Sequence, residues 1–403
     1  MRRLVVLTAL TAAPAMLAAA ADTVLNTKVG PVNVALLIPA ETSGPLRGLY
    51  VHAAHYTLRT HDRWAESARS ISFGHVGLNI DLKLNNRPKK LRKGLDEGLA
   101  QFAARTGRAE LPHLPMIGVG HSAGGMVVPV LMRTPERTIT TCVSCGWITD
   151  PAKLPENALH VPMLFTLGAI PDAFKMLPTI GTRYLPARAK GMPWGLAVQW
   201  GCAHDFANSA TLFIPWSESI ARLRLPKNTP APGKPVTLRP IDRTAGWLGD
   251  RSNEKTHFAP IAPTGEFKGE KSKAVWLPDR TVAFVWRAMQ SNDPPVVLHA
   301  AAADGSATLP KANPKTERGM TVGPGIAMKL SVTAREGTQL AEVTYFDGDR
   351  PLGKATSAPW EMVWRGAAAG AHAISAIWTD AAGQKNTTNP ALVIVRRSPA
   401  GTK

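Results

Sequence analysis

The segment Gly118-Val119-Gly120-His121-Ser122-Ala123-Gly124-Gly125 sets a serine in a G-x-S-x-G pattern. A short apolar run precedes it and a helix-like run follows. That is the setting of a nucleophile elbow, a sharp strand-to-helix turn that strains the serine backbone and lifts its hydroxyl above the sheet. Small residues must flank it because the strand and helix backbones pass closely. A serine hydroxyl is a poor nucleophile until a base takes its proton, and on such an elbow the partners follow in the order serine, acid, histidine. His204 fits the base. It ends the phrase Trp200-Gly201-Cys202-Ala203-His204, between a strand pattern and a closing helix pattern. Its bland alternative is an ordinary loop histidine. The histidines before Ser122 have the wrong chain order, and His160 stands ahead of a strand, at the opposite edge.

The acid belongs after the penultimate strand, where it can accept from Nδ1 and stabilise the imidazolium. Asp172 stands there, and Asp150, after the preceding strand, is its rival. Asp205 adjoins His204 and suits a local turn. An oxyanion hole needs two backbone N–H donors. Ala123, next to the serine, supplies one, and Ala54 or His55, after an earlier strand, supplies the other. His52, His55 and His61 suit a structural or substrate-edge role, because nothing completes a metal site. The chemistry needs no cofactor.

The elements that must position these residues alternate. Strand patterns occupy 32–38, 48–54, 75–82, 115–119, 139–143, 163–167 and 196–200. Helix patterns occupy 63–70, the stretch marked by Leu91, Leu95, Leu99 and Phe102, then 124–132, and the stretch from Leu212 to Leu223. This alternation predicts an α/β domain over 22–226, a mostly parallel sheet with helices on both faces. Residues 227–293 read as an extension packed on that domain. Its phrases Gly246-Trp247-Leu248-Gly249-Asp250 and Val275-Trp276-Leu277-Pro278-Asp279 serve as packing anchors. From 294 to 398 short strands separated by Gly, Asp and Pro turns predict an all-β sandwich of about 100 residues.

Residues 1–21 have the form of a secretory signal peptide: Arg2 and Arg3, an apolar run, and small residues before Asp22. An uncleaved membrane anchor is the alternative, since the run is close to spanning length. After cleavage the expectation is a secreted or periplasmic chain without a membrane span. Among 403 residues, 47 are Lys or Arg against 29 Asp or Glu, a formal charge of +18. The composition, 44% hydrophobic and 19% charged, excludes a largely disordered chain. The charge would favour anionic polymers or surfaces. The basic run from Arg87 to Lys93 opens a helix pattern, lacks any nucleic-acid-binding motif, and leaves no nucleic-acid partner expected. Of the three cysteines, Cys142, Cys145 and Cys202, an oxidising compartment would pair Cys145 with Cys202. Cys142 and Cys145 point to opposite faces of a strand.

On GHSAGG at Gly120–Gly125, Asp172 after its strand and the phrase ending at His204, residues 30–226 resemble the α/β-hydrolase superfamily. They look like the secreted dienelactone-hydrolase and polyhydroxyalkanoate-depolymerase-like esterases. The usual His-Gly after the oxyanion strand reads His52-Ala53 here, and the usual Gly-x-x-Asp reads Gly168-x-x-x-Asp172. The tail resembles bacterial Ig-like modules, on Val343-Thr344-Tyr345-Phe346-Asp347-Gly348, Ser357-Ala358-Pro359-Trp360 and Trp378-Thr379-Asp380-Ala381-Ala382-Gly383.

The resemblance implies a secreted carboxylic ester hydrolase using Ser122, His204 and Asp172. The connection 147–161 is too short for a lid, so an open site suited to bulky or polymeric esters is expected. The Ig-like unit is expected as a spacer or as a contact to polymer or cell surface. Two alternatives stand beside this reading: amide or peptide cleavage on the same triad, and a non-catalytic surface-binding protein with a relic hydrolase domain.

Overall fold

The computed structural model describes residues 22–40, 44–54, 62–80, 87–170, 178–228, 231, 233–253, 257–311 and 318–398. The expected signal segment, His55, His61 and Asp172 lie outside the described residues. Eight strands make the first sheet: β1 (Thr23–Val29), β2 (Val32–Ile38), β3 (Gly48–Ala54), β4 (Phe73–Asn79), β5 (Met116–His121), β6 (Thr138–Ser144), β7 (Met163–Gly168) and β8 (Trp194–Gln199). Their spatial order is β1-β2-β4-β3-β5-β6-β7-β8. From β4 to β8 all neighbours are parallel, while β1 and β2 join antiparallel at one edge. The parallel strands are buried on both faces, so they read as continuous apolar runs; β6, β7 and β8 are buried throughout. β1 escapes the sequence reading because its TVLNTKV is a largely exposed edge strand.

Helices cover this sheet: α1 (Asp62–Ile71), α2 (Pro88–Thr106), α3 (Val127–Leu131), α4 (Leu185–Ala189) and α5 (Ser209–Arg224). In α2, Pro88 supplies a preset first turn and Gly107 ends the helix in the left-handed conformation at φ 70°. Leu91, Leu95, Leu99 and Phe102 form its wholly buried stripe, each contributing about 1.5–3 kcal/mol relative to exposure. Gly94 and Gly98 let the helix lie directly on β2. A methyl at Gly94 would stand 2.6 Å from Val32.

The next stretch pairs β9 (Trp247–Gly249) with β10 (Ile261–Pro263) and β11 (Val275–Leu277), and continues into α6 (Arg280–Gln290). Asp279 caps α6 by accepting from the Val282 N–H at 2.9 Å. Both Trp-Leu phrases are strands of this small sheet. Trp276 packs edge-on to Trp216 of α5, and Trp286 of α6 donates its indole N–H to the Leu196 carbonyl of β8 at 2.7 Å.

The remaining strands are β12 (Val296–Ala302), β13 (Gly319–Val322), β14 (Met328–Ala334), β15 (Glu342–Asp347), β16 (Arg350–Ala355), β17 (Glu361–Trp364), β18 (Gly370–Thr379), β19 (Lys385–Thr387) and β20 (Ala391–Val395). They form two sheets. One has the order β12-β14-β17, and the other β13-β20-β18-β15-β16 with β19 on β18. Between them lie Leu298, Leu330, Tyr345, Trp364, Ile374 and Val393. Alternate residues of β18 and β20 point the other way: Ala373, Leu392 and Ile394 join the core of the α/β part, against α1 and α5. A spacer would stand clear of the domain it carries. This sandwich instead shares a core with it. Among the described residues no helix is long and apolar enough to cross a membrane.

Candidate active site

The strand order reverses between β4 and β5 around β3, so the carboxyl ends of β3 and β5 border a crevice at that edge of the sheet. β5 ends at His121, a tight turn runs Ser122–Met126, and α3 follows. Ser122 sits at φ 55°, left-handed backbone that a non-glycine residue adopts at a cost of about 1–2 kcal/mol. Local packing holds it there. A methyl at Gly120 would lie 2.1 Å from the Gly124 carbonyl oxygen, and one at Gly124 would lie 2.3 Å from the Ala53 carbonyl oxygen. The turn thus folds back on its own strand and against the end of β3. Ala123, half-buried, is the first residue past the serine, and Ala54 closes β3 beside it. The strained φ, the crossing glycines and the short strand are what the spacing predicts for an elbow.

Three loops leave the sheet at the same edge, after β6, β7 and β8. After β6, Cys145 is also left-handed, at φ 46°. A methyl at Gly146 would stand 3.1 Å from the Ser122 carbonyl oxygen. After β7, the chain leaves the sheet under the His204 loop: a methyl at Gly168 would lie 1.8 Å from the Ala203 carbonyl oxygen. The Ala169 and Ile170 amides donate to Gln199 and Cys202 carbonyls at 3.1 and 2.9 Å. The segment leading to Asp172 therefore runs bonded to the segment leading to His204. Asp150 is used locally, its carboxylate accepting from the Ala152 N–H at 3.0 Å as a turn cap.

His204 lies in the third loop with both ring nitrogens shielded from solvent. Its ring centre is 5.1 Å from that of His121, which in turn meets Phe206 edge-on. The residue before the elbow serine and the β8 loop are thereby packed together. Burial first, and the neighbouring His204 second, lower the pKa of His121 below the ordinary histidine value. Chain order excludes His121 as the base, yet the ring that packs on His204 is the residue just before the serine. Its position inside the motif was the available signal.

Two further residues at this edge carried no pattern in the sequence. Trp147, 57% exposed, follows Gly146, and its ring lies 5.6 Å from the Arg183 guanidinium carbon. Arg183 also donates to the Ile148 carbonyl at 2.8 Å. Ile170 is 41% exposed after β7. Large apolar side chains so exposed at one mouth offer a contact surface. The connection from Trp147 to β7 holds only two short turns, Pro151–Lys153 and Glu156–Ala158.

The expected Cys145–Cys202 bridge is not formed; all three cysteines are buried and in no disulfide. Cys145 and Cys202 both donate S–H to the same two carbonyls, Ala203 and Asp205, at 3.5–3.9 Å. Burial, followed by the Cys145 charge, pushes the Cys202 thiol up to about 11, so neither the thiolate nor exchange is favoured. Cys142 faces the other way, 3.6 Å from the Ser217 hydroxyl of α5.

His52 and His75 form a stacked pair, with the His75 Nδ1 3.4 Å from His52 Nε2 and its Nε2 3.1 Å from the Trp64 carbonyl. Burial lowers the His75 pKa to about 4. Among the described residues no three His, Cys, Asp or Glu side chains are grouped to hold a metal ion.

No protein-family profile matches the chain, and no curated protein matches it. Among solved structures it is similar to a dienelactone hydrolase from Anabaena variabilis, at 16% identity and TM-score 0.36, over 50% of this chain and 96% of that one. An acylaminoacyl peptidase from Pyrococcus horikoshii is similar at 13% identity and TM-score 0.35, over 47% of this chain. Fibronectin(III)-like modules of Clostridium thermocellum CbhA match at 24% identity and TM-score 0.19, over 19% of this chain. The chain spans 38% of the peptidase and 41% of the CbhA modules.

Proposed function

We propose that the chain is a serine hydrolase of carboxylic esters, acting outside the cytoplasm. The observation that carries this reading is Ser122 at φ 55° on the β5–α3 turn, with the His204 loop folded alongside. A strained serine among crossing glycines has no packing role that alanine or glycine would not serve better. Such strain is found where a reactive group must be aimed.

Ser122 Oγ attacks the ester carbonyl carbon as His204 takes its proton. The tetrahedral oxyanion accepts from the Ala123 N–H and from a donor at Ala54 or His55. His204, now imidazolium and oriented by Asp172, returns the proton to the leaving alkoxide. An acyl-enzyme on Ser122 remains, and water activated by His204 releases the acid and restores the serine. The short 147–161 connection and the exposed Trp147 suit a bulky or polymeric ester, which would lie across an open edge.

The test is hydrolysis of p-nitrophenyl esters from acetate to decanoate, beside p-nitroanilides, by the protein and by Ser122→Ala. Ester turnover lost in the variant supports the reading. Faster anilide turnover would move the assignment to amide cleavage.

A further inference from the structure

Beside the β8 loop, the α/β part and the sandwich line an open-mouthed cavity of about 450 Å³. Gln199, Trp200 and Gly201 form one wall, and Val296, Val297 and Arg318 another. Met289, Pro294 and Pro390 add apolar surface between them.

The polar groups here are nearly all committed. Arg335 is held by Asp293 through bonds of 2.9 and 3.3 Å, a neutral pair. The Asn208 amide donates to the Pro390 carbonyl at 2.7 Å, and the Asn389 amide to the Ala288 and Ser291 carbonyls. Arg318 differs. It is only 6% exposed, one amino group donates to the Leu298 carbonyl, and the shielded Nε has no hydrogen-bond partner among the described residues. Burial lowers its pKa to about 10, so it remains charged at neutral pH. Among the described residues no carboxylate pairs with it, and a buried guanidinium so placed is unfavourable unless an anion completes it.

The balance is one positive charge with no carboxylate paired to it among the described residues, lining a chamber with much apolar surface. That matches a ligand with one negative charge and an apolar body; a planar carboxylate suits the guanidinium fork. We propose that this cavity binds a monocarboxylate bearing an apolar chain, its carboxylate on Arg318 and its chain against Met289, Val296 and Pro390. The ligand would rest on the backbone four residues ahead of His204, yet outside the cleft of Ser122. The site does not depend on the esterase reading, although acids of this class are what an ester hydrolase releases.

The experiment is calorimetric titration of octanoate, octan-1-ol and inorganic phosphate into the full chain. It is repeated with Arg318→Met, with Val297→Trp, and with protein treated with a fluorophosphonate. Val297→Trp fills the chamber while leaving the guanidinium and its bond to Leu298 intact, so the test stands if Arg318→Met fails to fold. The expected result is one octanoate site, weakened about tenfold or more in Arg318→Met by loss of a charge-assisted bond. Binding is abolished in Val297→Trp and unchanged by the fluorophosphonate, and octan-1-ol and phosphate bind more weakly. No octanoate binding, equal binding by Val297→Trp, or loss of binding on fluorophosphonate treatment would overturn the proposal. Failure of the fluorophosphonate to label Ser122 would refute the esterase reading and leave these binding outcomes readable.

Discussion

Gly120→Ala isolates the elbow from the reacting groups. The added methyl would stand 2.1 Å from the Gly124 carbonyl oxygen and 2.4 Å from its carbon. Ordinary carbon contacts are about 3.5 Å, so the turn must open by more than about 1 Å. Both neighbours are backbone, and no side-chain rotation relieves them. The displaced carbonyl lies two residues past Ser122, in the turn that also carries the Ala123 N–H. A misplacement of about 1 Å in a catalytic geometry lowers the rate by about 100-fold. Overpacking of this kind destabilises by about 1–3 kcal/mol, or about 2–12 °C in Tm. The assay is kcat/KM on a p-nitrophenyl ester at a temperature where circular dichroism shows both proteins folded. Gly181→Ala is the control, because nothing lies within 4 Å of a methyl there and its φ is not positive. A folded Gly120→Ala with activity within twofold of the parent would refute the reasoning that the crossing backbones aim Ser122.

Trp147→Ala removes an exposed ring, so stability should change by less than about 0.5 kcal/mol, while KM rises several-fold for bulky esters and little for acetate. Equal kinetics on both would remove Trp147 from the substrate surface. Unfolded in denaturant without reductant, the chain should titrate three thiols with a disulfide reagent; one thiol would show that two of the three are bridged. His75, with its folded pKa lowered to about 4 from 6.5, binds its proton more readily in the unfolded chain. Its contribution is therefore present above about pH 6.5 and is lost as pH falls toward 4, by an order of about 3 kcal/mol. Urea denaturation at pH 7 and pH 4.5 should show this loss, and His75→Gln should flatten it. An unchanged pH dependence in His75→Gln would place the acid sensitivity elsewhere.

Much of the α/β part is legible because its strands are buried on both faces and so announce themselves as apolar runs. The elbow is legible for a related reason: only close backbone crossings demand glycine at 120 and 124, and the serine between them is then conspicuous. β1 was hidden because an edge strand needs few buried positions, and Leu25 is its main contact with the core. β16 (RPLGKA) and β19 (KNT) carry weak patterns because short antiparallel strands with a wet face bury few apolar residues. The shared core at Ala373, Leu392 and Ile394 was invisible for the opposite reason. The buried run ALVIV of β20 packs on both its faces, and composition cannot say that one of those faces meets another domain. The expected bridge failed on orientation: Cys145 and Cys202 are neighbours, but both S–H groups are drawn to the Ala203 and Asp205 carbonyls.

The most direct measurement is mass-spectrometric mapping of the site labelled by a fluorophosphonate, with His204→Ala run in parallel. The proposed chemistry predicts one adduct, on Ser122, and labelling slowed about 1000-fold or more when the histidine is removed. No adduct on Ser122 in the folded protein, or labelling that ignores His204, would contradict it.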